Sequence, residues 1–395
     1  MKKATREHTR VHNQRLILRT IYQQGEISRA DLARATRLTK TTVSTIVADL
    51  IAEQWVEEVG HGPSEGGKPP VLLSVLDDSR HLIGLDLANS EFRGGVINLR
   101  GHILHRAHVP LPDEDGRLAL EQVYNLMDSL MAEVTRPLLG IGIGSPGLID
   151  ARAGIVRQAV NLDWQALPLR ALLQDRYGVP VYLANDSHAA ALGEYTFGSH
   201  PGVTDLIVVK AGRGTSAGIV LNGRLHYGDG SGAGEIGHVR VVDNGKLCLC
   251  GHTGCLETIV SSRAIIEKAR AVFAADPNAI LHQFAPTEND ITTHVIWQAF
   301  TAGDPAIAQI VQEVGRYLGI AVANLIGALN VQTIIVAGSL ARFGQPLLDA
   351  ISAEMRTSAM ATLAEETAVR ASELGQDIVM LGAASLLLSN ELGLV

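Results

Sequence analysis

Apolar residues at helical spacing mark the first three elements of the chain. Leu16, Ile17 and Ile21 line one face of residues 13–24, and the pattern stops at Gly25. Ser28 is placed to cap a second helix over 29–35, with Leu32 and Ala33 turned inward, and Thr36-Arg37-Leu38 supplies a short turn. The third helix begins Thr39-Lys40-Thr41-Thr42-Val43-Ser44-Thr45, with Val43, Ile46, Val47, Leu50 and Ile51 as its buried stripe. Short hydroxyl side chains and one lysine on its exposed start let such a helix enter a major groove and bond phosphates or base edges. Residues 55–59 and 71–75 then alternate as two strands around a loop, 61–70. In that loop Gly66-Gly67-Lys68 permits close approach to a minor groove or a phosphate, because no bulky Cβ intervenes. Three helices and a hairpin in this order predict a winged helix-turn-helix over residues 1–76. Its DNA-contacting candidates are Arg37, Thr39, Lys40, Thr41, Ser44 and Lys68.

From about residue 79 the pattern changes to apolar β runs, glycine turns and intervening helices, the alternation of an α/β protein. Two segments repeat. Leu82-Ile83-Gly84-Leu85-Asp86 leads through a loop to Gly95-Val96-Ile97-Asn98-Leu99, the turn Arg100-Gly101 and His102-Ile103-Leu104. Roughly 120 residues later, Leu206-Ile207-Val208-Val209-Lys210 leads through a glycine loop, 212–217, to Gly218-Ile219-Val220-Leu221, the turn Asn222-Gly223 and Arg224-Leu225-His226. The duplication predicts two similar lobes with a cleft between them, a common place for a small ligand. Further strands fit over 139–144, ending in Ser145-Pro146-Gly147, over 181–184, delivering Asn185 and Asp186 before a helix over 187–194, and over 333–337, breaking at Gly338-Ser339 into another helix. Strand ends are where α/β folds present ligand contacts.

With 395 residues, 46% of them hydrophobic and 19% charged, the chain has material for two or three domains and no signature of disorder. No run approaches the roughly 18 apolar residues of a membrane span, and residues 1–13 are polar and basic, so the expectation is a cytoplasmic protein with no membrane partner. Charge is unevenly placed. Residues 1–50 hold ten Lys and Arg against four Asp and Glu, net +6, so with −8 overall the remainder carries −14. A basic head on an acidic body directs one end toward a polyanion.

Cys248, Cys250 and Cys255 are an odd number packed into eight positions, which no intramolecular disulfide scheme uses up. With His238 they form H-x9-C-x-C-x4-C, three thiolates and an imidazole that satisfy tetrahedral Zn²⁺ with no position left for a catalytic water. The expected cofactor is therefore a structural zinc. A histidine with one nitrogen on zinc can turn the other to a ligand hydroxyl. Glu235 and Glu257 hang from the same segment, and with the amides Asn161 and Asn185 they are the groups a sugar's neighbouring hydroxyls require, since each carboxylate accepts two hydrogen bonds.

Gly234-Glu235-Ile236-Gly237-His238, the segment from Cys248 to Glu257, and Asn185-Asp186 before Ala189-Ala190-Ala191-Leu192-Gly193-Glu194 resemble the ROK family of sugar kinases and sugar-responsive repressors. The resemblance runs from residue 10 to the C-terminus. It implies an α/β fold with an N-terminal winged helix-turn-helix followed by a two-lobed actin-like (ribonuclease H-like) body. The division expected is 1–76, then 79–186 with about 373–395 as one lobe, and 187–372 as the other with the zinc loop. It further implies that Asn161, Asn185, Asp186, Glu235, His238 and Glu257 bind sugar hydroxyls, and that in the kinases the position of Asp186 is the base for ATP attack. Kinases of the family carry Asp-x-Gly-Gly-Thr-Lys on the first hairpin, where this chain has Asp86-Leu87-Ala88-Asn89-Ser90-Glu91-Phe92. A glutamate where a lysine would neutralise phosphate turns attraction into repulsion. The loop Gly212-Arg213-Gly214-Thr215-Ser216-Ala217-Gly218 preserves the second phosphate signature only in part, and Gly338-Ser339 weakens a Gly-Gly nucleotide signature.

The resulting expectation is a non-enzymatic, sugar-responsive repressor, a homodimer or dimer of dimers on operator DNA, released by an aldose such as xylose or glucose. The alternative is an ATP-dependent sugar kinase with a regulatory head, in which Asp186 is catalytic. No lysine or arginine cluster stands out beside the site, which favours an unphosphorylated sugar.

Overall fold

The structure, a computed structural model, describes residues 6–63, 69–87, 91–111 and 116–394. The head opens with α1 (Arg6–Gln24), β1 (Ile27–Ser28), α2 (Arg29–Thr36) and α3 (Lys40–Ala52), and closes with β2 (Val56–His61) and β3 (Val71–Val75). Ser28 caps α2 by accepting the Asp31 N–H, Arg37 ends it in a left-handed conformation at φ 56°, and Thr39 caps α3 by accepting from Thr42. Helix α1 begins seven residues before its apolar pattern, because residues 7–12 are exposed and carry no stripe. The expected hairpin is a three-stranded sheet in the order β1-β3-β2, with Ile27 opposite Leu73 and Val56 opposite Val75. Ile17, Ile21, Leu32, Val43, Val47, Leu50 and Leu73 fill the interior at zero exposure. Lys68 and the wing tip, 64–68, lie outside the described residues.

The body begins with β4 (His81–Asp86), β5 (Glu91–Ile97), β6 (Ile103–Pro110), α4 (Gly116–Ala132) and β7 (Leu138–Ser145). A small sheet of β8 (Leu148–Asp150), β9 (Ile155–Ala159) and β10 (Trp164–Leu167) follows, then α5 (Leu169–Tyr177), β11 (Val181–Asn185) and α6 (Asp186–Phe197). The second half holds β12 (Leu206–Ala211), β13 (Thr215–Leu221), β14 (Arg224–Leu225), α7 (Glu257–Val260), α8 (Ser262–Ala275), α9 (Thr293–Thr301), α10 (Pro305–Leu329), β15 (Thr333–Ala337), α11 (Gln345–Ser358), α12 (Ala361–Glu366), β16 (Ala368–Ala371) and α13 (Ile378–Leu387). Among the described residues no helix is long and apolar enough to cross a membrane.

The two large sheets have one topology. Their orders are β11-β7-β4-β5-β6 and β14-β13-β12-β15-β16, each with an antiparallel three-strand meander and two parallel strands added at the other edge. The sequence repeat is thus a repeat of structure, with Leu82–Asp86 equivalent to Leu206–Lys210. The first copy differs from its expected limits, since β5 starts at Glu91 and β6 runs to Pro110, whereas β14 spans two residues. Helix α4 covers the first sheet with Val123, Leu126, Met127 and Leu130, which join Ile83, Leu85, Phe92 and Val96 in one core. Helix α10 contributes to the core of the second half with Ile307, Val311, Leu318 and Val322.

Helices α6 and α13 pack on one another at the junction of the sheets. Gly382 makes this approach possible, since a Cβ there would stand 1.7 Å from the Ala189 carbonyl oxygen. All ten residues of α13 are buried. The head shares this interior: Ile17, Ile21, Val47 and Leu50 belong to one apolar cluster with Leu82, Leu99, Met380, Leu387 and Leu392. Tyr22 donates to the Leu99 carbonyl at 2.8 Å, and Arg100 stacks over the Tyr22 ring at 4.3 Å while bonding Asp77 and the Tyr22 carbonyl.

Candidate functional site: a cleft beside a cysteine-histidine cluster

The ends of β7 and β11, the loop before β13 and the segment from Glu235 to Glu257 converge on a cavity of about 470 Å³. Asn161, Asn185, Asp186, Glu235, His238 and Glu257 all line it, so the structure brings the six sequence candidates to one place. Its size falls within the range of small-molecule sites, about 300–1,000 Å³.

Asn185, Asp186 and Glu257 arrive with some of their hydrogen-bonding capacity already used. Asn161 sits on a single turn, Val160–Leu162, anchored by Trp164, whose Nε1 donates to the Gly116 carbonyl at 2.7 Å. Asn185 ends β11 and caps α6: its Oδ1 accepts the Ser187 N–H and hydroxyl, and its Nδ2 donates to the Gly147 carbonyl at 2.9 Å. One amide N–H remains for a ligand. Asp186 accepts the Ser187 N–H on Oδ1 and the Lys210 ammonium on Oδ2 at 2.6 Å. Glu257 opens α7 and receives the Thr215 N–H on Oε2 at 2.9 Å, leaving Oε1 for a hydroxyl.

Glu235 is held by its neighbours. Gly234, at φ +91°, brings its Cα so close to the Ala217 carbonyl that an added Cβ would stand 1.8 Å from the oxygen, and Ala217 N–H donates back to Gly234 at 2.7 Å. The buried His188 bonds the Ala233 carbonyl through Nε2 at 2.8 Å. Burial pushes the Glu235 carboxyl above its ordinary pKa; His238 opposes this, and Asp186 and Glu257 add to it.

Sequence reasoning missed Lys210, whose signal was a lone charge in the strand Leu206–Ala211, buried at every position. It also missed the Thr215 hydroxyl, buried without a hydrogen-bond partner at the wall of the cavity. Glu91 opens β5 and is ion-paired with Arg93, over a separate depression on the first sheet. One expectation is corrected: the site has cations nearby, since Arg213, Lys246 and Arg263 line an adjoining pocket of about 150 Å³ that shares Asn161, Leu249 and Glu257 with the cleft. Lys246 there is paired with Glu267 at 2.6 Å.

His238, Cys248, Cys250 and Cys255 form a group able to hold a metal ion, with ligand atoms all within 4.8 Å of one another. Cys248 Sγ lies 3.5 Å from His238 Nδ1, and Cys250 Sγ 3.6 Å from Cys255 Sγ. Tetrahedral zinc with the usual bond lengths, about 2.0–2.3 Å, separates its ligand atoms by about 3.5–3.8 Å, so the donor set fits. Hydrogen bonds from His252 lower the Cys250 thiol to about 6, whereas burial pushes Cys248 and Cys255 up, so two of the three thiols depend on a bound cation to become thiolates. His238 Nδ1 faces the thiols, while its Nε2 stands 3.9 Å from Glu235 Oε2 at the cleft. On the head, Arg37, Thr39, Lys40, Thr41 and Ser44 are exposed together at the turn and first face of α3, the Thr39 hydroxyl being engaged with Thr42.

A winged-helix head packed continuously onto two ribonuclease H-like lobes, with a polar cleft between the lobes, defines the class of molecule. The chain belongs to the ROK family, whose model matches residues 82–390, while residues 9–64 match the MarR family. A xylose repressor from Caldicellulosiruptor bescii is 32% identical over 386 residues, covering 96% of each chain. The crystal structure of a ROK family transcriptional regulator, a homologue of the E. coli MLC protein, superposes with a TM-score of 0.84 at 28% identity over 98% of both chains. A ROK family glucokinase from Streptomyces griseus, solved with glucose and AMPPNP, reaches a TM-score of 0.72 at 30% identity; it covers 78% of this chain and 98% of its own.

Proposed function

We propose that the protein is a sugar-responsive transcriptional repressor and not a kinase. Residues 1–76 bind operator DNA; residues 79–186 with about 373–395 and residues 187–372 are the two lobes, and a monosaccharide binds between them. The observation that carries this reading is that the winged helix and the polar cleft belong to one continuously packed body, so a change in lobe arrangement moves the head. Asn161, Glu235, His238, Glu257, Asp186 and the free Asn185 N–H supply the acceptors and donors for sugar hydroxyls. Zinc at His238, Cys248, Cys250 and Cys255 is structural: it holds the loop that carries Glu257 and fixes the tautomer of His238.

Two copies bind the two halves of an operator, and sugar lowers DNA affinity by its preference for a lobe arrangement in which the heads no longer match the half-site spacing. The relatives make xylose and glucose the first probes, and the cations of the adjoining pocket make their phosphate esters the second. A thermal-shift panel of these compounds, followed by operator binding with and without the best of them, tests the reading. Release of DNA without ADP formation in the presence of ATP supports it. Sugar-dependent ADP formation that vanishes in Asp186→Asn establishes the kinase instead.

A further inference from the structure

Lys210 is a charged side chain that the sugar-binding roles above leave unused. Its Nζ lies 2.6 Å from Asp186 Oδ2, and both side chains are about nine-tenths buried. Asp86, 2% exposed at the end of β4, is in register with Gly144 of β7, which is in register with Ala184 of β11, so it lies at the same end of the first sheet as Asp186, and its charge raises the Lys210 pKa. Burial pushes the Lys210 pKa down, but Asp186 and Asp86 more than reverse it, leaving the group above its ordinary value and charged. Asp86 and Lys210 are equivalent positions of the internal repeat, on the central strands of the two sheets.

Two carboxylates offered from strand ends beside a glycine loop are the donor set with which proteins hold a hydrated magnesium ion and a polyphosphate. Here an ammonium is already paired with Asp186. A divalent cation entering between the two carboxylates would meet a fixed positive charge and find Asp186 taken.

We propose that the Lys210 ammonium, paired with Asp186 at the sheet end that also carries Asp86, is an internal replacement for a divalent cation, so that the cleft receives a sugar without taking up a metal-nucleotide. This rests on the reading of the cleft as a sugar receptor, and it makes Lys210 a positioning residue: it holds the Asp186 carboxylate in place with Oδ2 paired.

The test is Mn²⁺ uptake by the full-length, zinc-replete chain, followed by the electron spin resonance of free Mn²⁺. Lys210→Met is expected to bind Mn²⁺ at least tenfold more tightly than the wild type, and Asp86→Asn in the same background to abolish the gain. If Lys210→Met does not fold, Lys210→Gln, of similar volume and able to donate to Asp186, is held to the same criterion. A folded variant with no gain, a gain that survives Asp86→Asn, or wild-type uptake that Asp86→Asn removes overturns the proposal. Sugar is absent from this measurement, so failure of every monosaccharide to bind would sink the receptor reading alone.

Discussion

The Tyr182 hydroxyl donates to Glu391 Oε1 at 2.6 Å, and the main-chain carbonyl of the same Glu391 accepts Arg15 of α1 at 3.0 Å. Tyr182 lies on β11, three residues before Asn185. The strand that delivers the cleft's polar groups is therefore hydrogen-bonded to the C-terminal turn on which the DNA-binding head rests. Tyr182→Phe removes the link and leaves the cleft's own side chains in place. Sugar affinity should change little, while the ratio of operator affinities without and with sugar should shrink by about 0.5–2 kcal/mol. Fluorescence anisotropy of labelled operator at several sugar concentrations measures it; an unchanged ratio removes this contact from the route.

The metal group predicts one equivalent of zinc per chain after dialysis, read by elemental analysis. Cys250→Ser should lose most of it and loosen the segment from His238 to Glu257. Because Glu257 also holds the Thr215 N–H, sugar binding should weaken together with thermal stability. Full sugar affinity in a zinc-free variant would separate the cluster from the cleft.

How far the chain could be read from its pattern depended on the kind of signal. The head was legible because Ile17, Ile21, Val43 and Val47 repeat at helical spacing and Ser28 is a recognisable cap that accepts the Asp31 N–H; the Thr39 cap of α3 emerged only from the structure. Strand β1 is only two residues long, too short to alternate. Helix α13 is apolar on every side, so it has no periodicity to find. The cysteine spacing picked out, without any knowledge of the fold, the four side chains whose ligand atoms lie within 4.8 Å of one another. Asn185 was visible as a polar residue at a strand end, but the two hydrogen bonds by which it caps α6 and the third that ties it to Gly147 are not revealed by spacing. Lys210 escaped because its partner Asp186 lies 24 positions away, on a different element.

Lys40 opens α3 with its side chain exposed, beside exposed Thr41 and Ser44. Lys40→Ala should weaken operator and nonspecific duplex alike and reduce the salt slope by about one unit if the ammonium meets a phosphate. Ser44→Ala should instead cost about 1–3 kcal/mol on the operator alone if its hydroxyl reads a base edge. Titrations at several salt concentrations, with specific and scrambled duplexes, distinguish the two. Loss of the operator preference in Lys40→Ala would assign base reading to the lysine.

His188 gives the fold an acid limit. It is 3% exposed and bonds the Ala233 carbonyl, with the Tyr227 ring edge-on at 5.4 Å. Burial lowers its pKa below the ordinary 6.5, outweighing the Ala233 hydrogen bond and the charge of Asp186, and His226 adds to the lowering. The folded chain therefore holds this imidazole neutral while the unfolded chain takes a proton once the pH drops through about 6.5. Stability from this group is complete above that pH and falls as the pH decreases toward the folded value. His81, lowered mainly by burial, acts in the same direction, so the wild-type slope contains both. His188→Gln keeps an N–H donor for Ala233 and removes one titration, so between pH 7.5 and about 5.5 its melting temperature should fall less steeply than that of the wild type. Parallel melting curves across this range would mean that His188 carries no part of the acid limb, and that His81 or a carboxylate sets it.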